Sequence, residues 1–144
     1  MRIPEDAIPA AAFVFERELG RELSEFEASE IARHGFDGIS PDLLARELCS
    51  LIQMESKGDC RDRQQSYWAL GKRHDRNLLP FFREQLGMEL QWDLFAVYQI
   101  LIALDNLSEP CFSADRQSQY SADDYDLNRR DAEAYLNSLR PEKQ

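Results

Sequence analysis

Apolar side chains recur every three or four positions along most of this chain, the spacing of helices that each bury one stripe. Ala10-Ala11-Ala12-Phe13-Val14-Phe15-Glu16-Arg17-Glu18-Leu19 follows Pro9 and precedes Gly20. Proline first and glycine last predict a short helix whose apolar face carries Ala11, Phe15 and Leu19, with Ala12 beside them. Ser24-Glu25-Phe26-Glu27 spells a capping box, in which the serine oxygen and the Glu27 carboxylate satisfy each other's free backbone amides. A second helix is predicted from there to Arg33, closed by Gly35. Ser40-Pro41-Asp42 opens a third with a serine cap, a proline where no amide partner is lost and an acid facing the positive end of the dipole. Its stripe is Leu43, Leu44, Leu48, Leu51 and Ile52, and Lys57-Gly58-Asp59 ends it. A fourth helix starts near Asp62 and packs through Tyr67, Trp68, Leu70 and Gly71 near its C-terminal end. No alternating stretch is long enough for a strand, so the predicted fold class is all-α.

The most apolar part of the chain is Tyr67 to Leu107, which reads as a two-helix hairpin ending in the nearly uncharged run Ala96-Val97-Tyr98-Gln99-Ile100-Leu101-Ile102-Ala103-Leu104. Ala69-Leu70-Gly71-Lys72, then Asp75, then Leu78-Leu79-Pro80-Phe81-Phe82 with Leu86, then Glu89-Leu90, Asp93 and the helix through Ala96, Val97 and Ala103-Leu104 resembles a degenerate HEAT-type repeat. In that family an aspartate caps the first helix, a proline-containing apolar helix follows, and a second helix packs back antiparallel. The resemblance covers about 40 of the 144 residues. Trp92 and Tyr98 are bulkier than the repeat pattern, and no second copy at a fixed period is evident. The expected architecture is an irregular helical bundle or a short HEAT-like stack of about six to seven helices. A helix beginning at Asp75 or Asn77 would place Pro80 within or just past its first turn, where amides lack partners and a proline costs little.

Beyond Leu107, Ser108-Glu109-Pro110 breaks the helix, and a polar loop is predicted over 108–126, a length expected of mobile or functional loops. Asn128 reads as the cap of a last helix through Leu136, with Leu139 completing its face, Pro141 ending it, and Lys143 and Gln144 frayed.

A chain of 144 residues fits a single domain, 1–144, that can bury a core without metals or disulfides. Seventeen basic against 27 acidic residues give a net charge of −10, which repels phosphate backbones and argues against nucleic acid as a partner. The same charge also serves simply to keep a protein soluble. Cys49, Cys60 and Cys111 are odd in number and far apart, as reduced thiols are, and Cys49 reads as a small core residue. The first apolar run is interrupted by Glu16, Arg17 and Glu18, unlike a signal-peptide core, and no window reaches the roughly 20 apolar residues of a membrane helix. The expected location is cytoplasmic, with no membrane contact.

Catalytic signatures are scarce. His34 and His74 both sit where helices end, a position the helix dipole favours for a basic side chain. His74, Asp75 and Cys60 can be drawn as base, orienter and nucleophile, without the strand-turn-helix context such a site uses. Asp124-Tyr125-Asp126-Leu127-Asn128 looks like the first half of a calcium loop, but Arg129 stands where the glycine is required and Tyr135 where the bidentate glutamate belongs. No cysteine or histidine spacing suggests zinc and no glycine-rich loop could cradle a phosphate, so no cofactor is expected. Among 27 acids nothing singles out a glycosidase-type pair.

The stretch that stands out is Asp115, Asp123, Asp124 and Asp126 interleaved with Tyr120 and Tyr125. Clustered carboxylates can steer and pair with the lysines and arginines of a partner, and tyrosine supplies contact area at low entropic cost. The same acids would also suit a solvated loop preceding a helix N-terminus. Trp92 is a further candidate anchor and equally a candidate core residue. A small, acidic, mostly helical chain without catalytic residues, whose unit from Trp68 to Leu107 looks like helical-repeat immunity proteins, resembles the bacterial immunity proteins of polymorphic-toxin and contact-dependent inhibition systems. That resemblance implies a non-enzymatic protein that neutralises a basic toxin domain by direct binding. Two other readings stay open: a small helical enzyme with a carboxylate-based site, and an adaptor or homodimer that uses the apolar face of the Tyr98 to Leu104 helix.

Overall fold

The computed structural model describes residues 1–54 and 60–140. Among these residues every regular element is helical, so the fold is all-α. The expected helix end at Lys57-Gly58-Asp59, and those at Pro141, Lys143 and Gln144, lie outside the described residues. The chain forms two compact units, Met1–His74 and Asp75–Gln144. The stretch Tyr67 to Leu107 is therefore divided, its first residues belonging to the last helix of the first unit.

The first unit contains α1 (Ile8–Glu18), α2 (Glu25–Arg33), α3 (Pro41–Met54) and α4 (Arg61–Gly71). Helix α1 packs against the other three, and α3 also packs on α4. Ala10, Ala11 and Ala12 are all buried on α1, where their small side chains let neighbouring helices approach closely from several sides. Phe15, Leu44, Leu48, Tyr67 and Leu70 fill the remaining space and are fully buried. Pro9 occupies the first turn of α1 and Gly20 follows its end at φ 91°, a left-handed position that favours glycine. The capping box is present: Ser24 Oγ accepts from the Glu27 amide at 3.1 Å, and Glu27 accepts from the Ser24 amide at 2.9 Å. Ser40 Oγ accepts from the Asp42 amide at 3.2 Å, as the start signal of α3 requires.

Two positions differ from the predicted stripes. Leu19 is the C-cap of α1 and 56% exposed, because the helix has already ended where the four-residue step would carry it into the core. On α3, Leu43 is half-buried and Ala45 is buried instead, so the stripe runs Leu44, Ala45, Leu48, Leu51 and Ile52. Cys49 is half-buried, and desolvation pushes its thiol up to about 11.

The second unit contains α5 (Leu79–Trp92), α6 (Leu94–Asn106) and α7 (Tyr125–Ser138). Helix α5 packs on α6, and α7 packs on both. Asp75 opens a 3-10 turn, Arg76–Leu78, by accepting from the Asn77 amide at 2.9 Å, and Pro80 lies in the first turn of α5. A single extended residue, Asp93, separates α5 from α6, and its Oδ1 accepts from the Phe95 and Ala96 amides at 3.0 and 3.3 Å. One residue thus ends α5, through its backbone amide to the Glu89 carbonyl, and starts α6, through its carboxylate, which sets the α5–α6 hairpin. Ala96, Val97, Ile100, Leu101, Ala103 and Leu104 of α6 are buried. Among the described residues no helix is long and apolar enough to cross a membrane.

Helix α7 starts earlier than predicted. Asp124 takes the N-cap position and Asn128 lies one turn inside the helix, fully buried. The polar loop before it contains a 3-10 turn, Ala114–Arg116, and left-handed residues at Ser108, Gln117 and Ser118.

Candidate functional site

Asp124, Asn128, Asp131 and Tyr135 follow one another at steps of four, three and four residues, which places them on one face of α7. This face is turned toward the loop after α6 and joins it by hydrogen bonds. The buried Asp131 carboxylate is the centre. Its Oδ2 accepts from the Ser113 amide at 3.2 Å and from Arg116 Nη1 at 3.1 Å, while Oδ1 accepts from Arg130 Nε at 3.2 Å and Nη2 at 3.1 Å. Arg116 is itself buried, with its guanidinium 5.2 and 5.4 Å from the Phe112 and Tyr120 ring centres. Those two rings stack on each other at 3.7 Å and 11°. The stack ties Phe112 to Tyr120 across the loop, and the cation beside it adds an electrostatic attraction to the rings. One turn toward the helix start, Asn128 Nδ2 donates to the Ser121 carbonyl at 3.0 Å, and the Asp124 carboxylate lies 3.7 Å from Arg116 Nη2.

A second cluster closes the other end. Glu109 Oε1 accepts from the Tyr135 hydroxyl at 2.7 Å and from Arg83 Nη2 at 2.8 Å, and Arg83 Nε donates to the Tyr135 oxygen at 3.0 Å. Arg76 donates to the Leu107 carbonyl at 2.6 Å and approaches Glu109 at 3.5 Å. The hydrogen bond from Tyr135, then that from Arg83, holds the Glu109 carboxyl below its usual range. Burial, then the hydrogen bond to Glu109, pushes the Tyr135 hydroxyl up to about 12. Beneath the loop Cys111 donates its thiol to the Leu101 carbonyl at 3.3 Å, and desolvation pushes that thiol up to about 12.

The residues singled out in the sequence separate into two groups on this frame. Asp115 is engaged within the unit: Arg130 holds it through two parallel bonds of 2.8 and 2.9 Å, which lower its carboxyl below the usual range. Tyr120 is engaged too, through its stack on Phe112. Asp123, Asp124, Tyr125 and Asp126 remain exposed, and Leu127 continues the exposed run. Tyr125 is 46% exposed, and the Asp126 side chain, near Arg129 at 3.5 Å, is almost wholly in solvent. Trp92 is the last residue of α5 and half-buried.

The residues missed in the sequence are Arg83, Glu109, Arg116, Asn128, Arg130, Asp131 and Tyr135. One signal was available. The positions 128, 131 and 135 have the spacing of a buried helical stripe, written in polar letters.

Charge follows the same division. Between Asp75 and Gln144 the sequence holds 13 acidic and 7 basic residues, against 14 and 10 between Met1 and His74, so the second unit carries −6 of the net −10. Among the described residues no three His, Cys, Asp or Glu side chains gather in a group that could hold a metal ion. No protein-family model, curated protein or solved structure matches the chain. What the geometry defines is an all-α protein with an acidic, aromatic-bearing helix start fixed on a buried polar brace.

Proposed function

We propose that this is a non-enzymatic binding protein of the bacterial immunity type, acting in the cytoplasm, which neutralises a basic toxin domain by direct contact. One observation carries the proposal: Asp123, Asp124, Tyr125, Asp126 and Leu127 are five consecutive exposed residues, three of them carboxylates, at the start of α7. Helix α7 is fixed from beneath by Asn128 and Asp131, so its start is offered in a set geometry and loses little freedom on binding. The carboxylates attract lysine and arginine, and Tyr125 with Leu127 supplies apolar contact between them. The HEAT-like character of the α5–α6 hairpin belongs to the same proposal, resting on Asp75, Pro80 and the one-residue connection at Asp93.

The other readings draw less support. Glu109 and Asp131, the carboxylates at the centres of the two clusters beside α7, are each taken up by arginine, tyrosine or amide donors, which leaves little capacity for proton transfer to a substrate. Within the Tyr98 to Leu104 stretch Ile100, Leu101, Ala103 and Leu104 are buried, so an adaptor would have only Tyr98 and Ile102 of its apolar side chains in part to offer.

The test is protection of cells that express a toxin domain encoded beside this gene, together with co-purification of the two proteins. The triple variant Asp123→Lys, Asp124→Lys, Asp126→Lys is expected to fold, as judged by circular dichroism, and to lose both protection and binding. Full protection by the folded variant would overturn the choice of surface. An operon of metabolic enzymes with no toxin gene would overturn the immunity reading itself.

A further inference from the structure

A second exposed apolar feature lies in the first unit, where α1 turns into α2. Leu19 ends α1 and is 56% exposed; Phe26, in the first turn of α2, is 66% exposed, the most of any aromatic side chain among the described residues. Helix α2 buries only Ile31, and Phe26 lies five residues away, about 140° around the helix. Its outward direction therefore follows from the helix itself. The turn is also held firmly. Arg21 forms ion pairs with Glu16 of α1 and Glu27 of α2, and Ser24 closes the capping box with Glu27. With Arg21 so engaged, Glu18, Glu22 and Glu25, which flank Leu19 and Phe26 along the α1–α2 turn, are exposed, and none of the three forms an ion pair among the described residues.

We infer that this α1–α2 corner is a second docking surface, and that its occupant is a basic, amphipathic segment of another protein. The charge decides the occupant. A second copy of this chain, docked about a two-fold axis, would set Glu18, Glu22 and Glu25 against glutamates of the same corner, which is repulsive. A segment with lysine or arginine beside an apolar side chain would place the apolar group on Phe26 and Leu19 and its cations among the glutamates. A surface of solvated carboxylates alone would bind by charge and lose its affinity with salt; Phe26 adds a contribution that salt does not screen. The inference stands on a different unit from the acidic start of α7 and does not depend on it.

The experiment uses the full chain, isotope-labelled and followed by amide chemical shifts. It is titrated with a short synthetic amphipathic helix of leucine and lysine, and with an equally charged control in which glutamine replaces leucine. The expected result is shifts at Leu19, Glu22, Phe26 and Ser29 with the leucine peptide, and affinity about tenfold lower for Phe26→Ser or for the glutamine peptide. The Asp123→Lys, Asp124→Lys, Asp126→Lys variant is expected to retain the shifts at the α1–α2 corner, which separates this inference from the toxin-binding one. Shifts confined to Asp123–Leu127, equal affinity for both peptides, or unchanged affinity of Phe26→Ser would each overturn it. So would sedimentation showing a dimer that Phe26→Ser dissociates.

Discussion

Replacing Asp131 by alanine should be among the most damaging single changes in the second unit, because it strands a buried cation rather than merely deleting an anion. Arg116 and Asp131 are both buried, at 6% and 3% exposure. Without Asp131, the nearest carboxylate to Arg116 is the half-exposed Asp124 at 3.7 Å, too far for a good hydrogen bond. Breaking one partner of a buried pair typically costs about 3–5 kcal/mol. The Ser113 amide also loses its acceptor. Arg130, by contrast, is exposed and keeps its bidentate bond to Asp115, so it adds little to the loss. We therefore expect Asp131→Ala to destabilise the second unit by about 3–4 kcal/mol, a large part of the roughly 5–15 kcal/mol that holds a domain together. The reverse change is milder. Arg116→Met leaves Asp131 with Arg130 and the Ser113 amide, and keeps an apolar chain against Phe112 and Tyr120, so about 1–2 kcal/mol is expected. The double variant should then be more stable than Asp131→Ala alone, since it removes the stranded charge. The assay is urea unfolding in a Trp68→Phe background, where Trp92 is the one remaining tryptophan and reports the second unit. A loss below about 1 kcal/mol for Asp131→Ala, or strict additivity in the double variant, would refute the reasoning.

The Glu109–Tyr135 cluster predicts opposite pH limits. Glu109 is held below its ordinary value, so its contribution is present above about pH 4.5 and is lost as the pH falls through the lowered value; Glu109→Gln should flatten that acid limb in thermal melts. Tyr135 is raised, so its contribution is complete below about pH 10 and is lost as the pH rises toward 12; ultraviolet titration should show a late phenolate that disappears in Tyr135→Phe. In the first unit, Ser24→Ala should cost about 1 kcal/mol by uncapping α2, while Ser24→Asp should restore most of it; equal stability of Ser24→Ala and the parent would mean the capping box contributes nothing.

Local signals in the sequence located most helix boundaries because the chemistry that fixes them is local. Ser24 and Glu27 are three residues apart, Ser40 and Asp42 two, and Pro9, Pro80, Gly20 and Gly35 act through their own backbone preferences. A cap must find its partner within one turn, so no knowledge of the fold is needed to see it. The start of α7 is less legible in the sequence. Asn128 has the residue type of a cap, but the helix already begins at Tyr125, and Asn128 instead donates its side-chain amide to the Ser121 carbonyl seven residues back, a partner that exists only once the loop has folded onto the helix.

The buried brace was the part hidden from a reading based on apolar periodicity. Asp115 and Tyr120 have the residue types of surface groups; their availability depends on Arg130 and Phe112, fifteen and eight residues away in the chain. Sequence by itself determined the all-α class, most of the caps and the acidic balance, all of which follow from residue type and short-range spacing. Tertiary structure alone decided which carboxylates are already satisfied and which remain open to a partner. A charge is neutralised by whatever lies within a few ångströms in space, and here Arg130 at Asp115, Arg116 at Asp131 and Arg83 at Glu109 are brought there by packing, not by proximity along the chain.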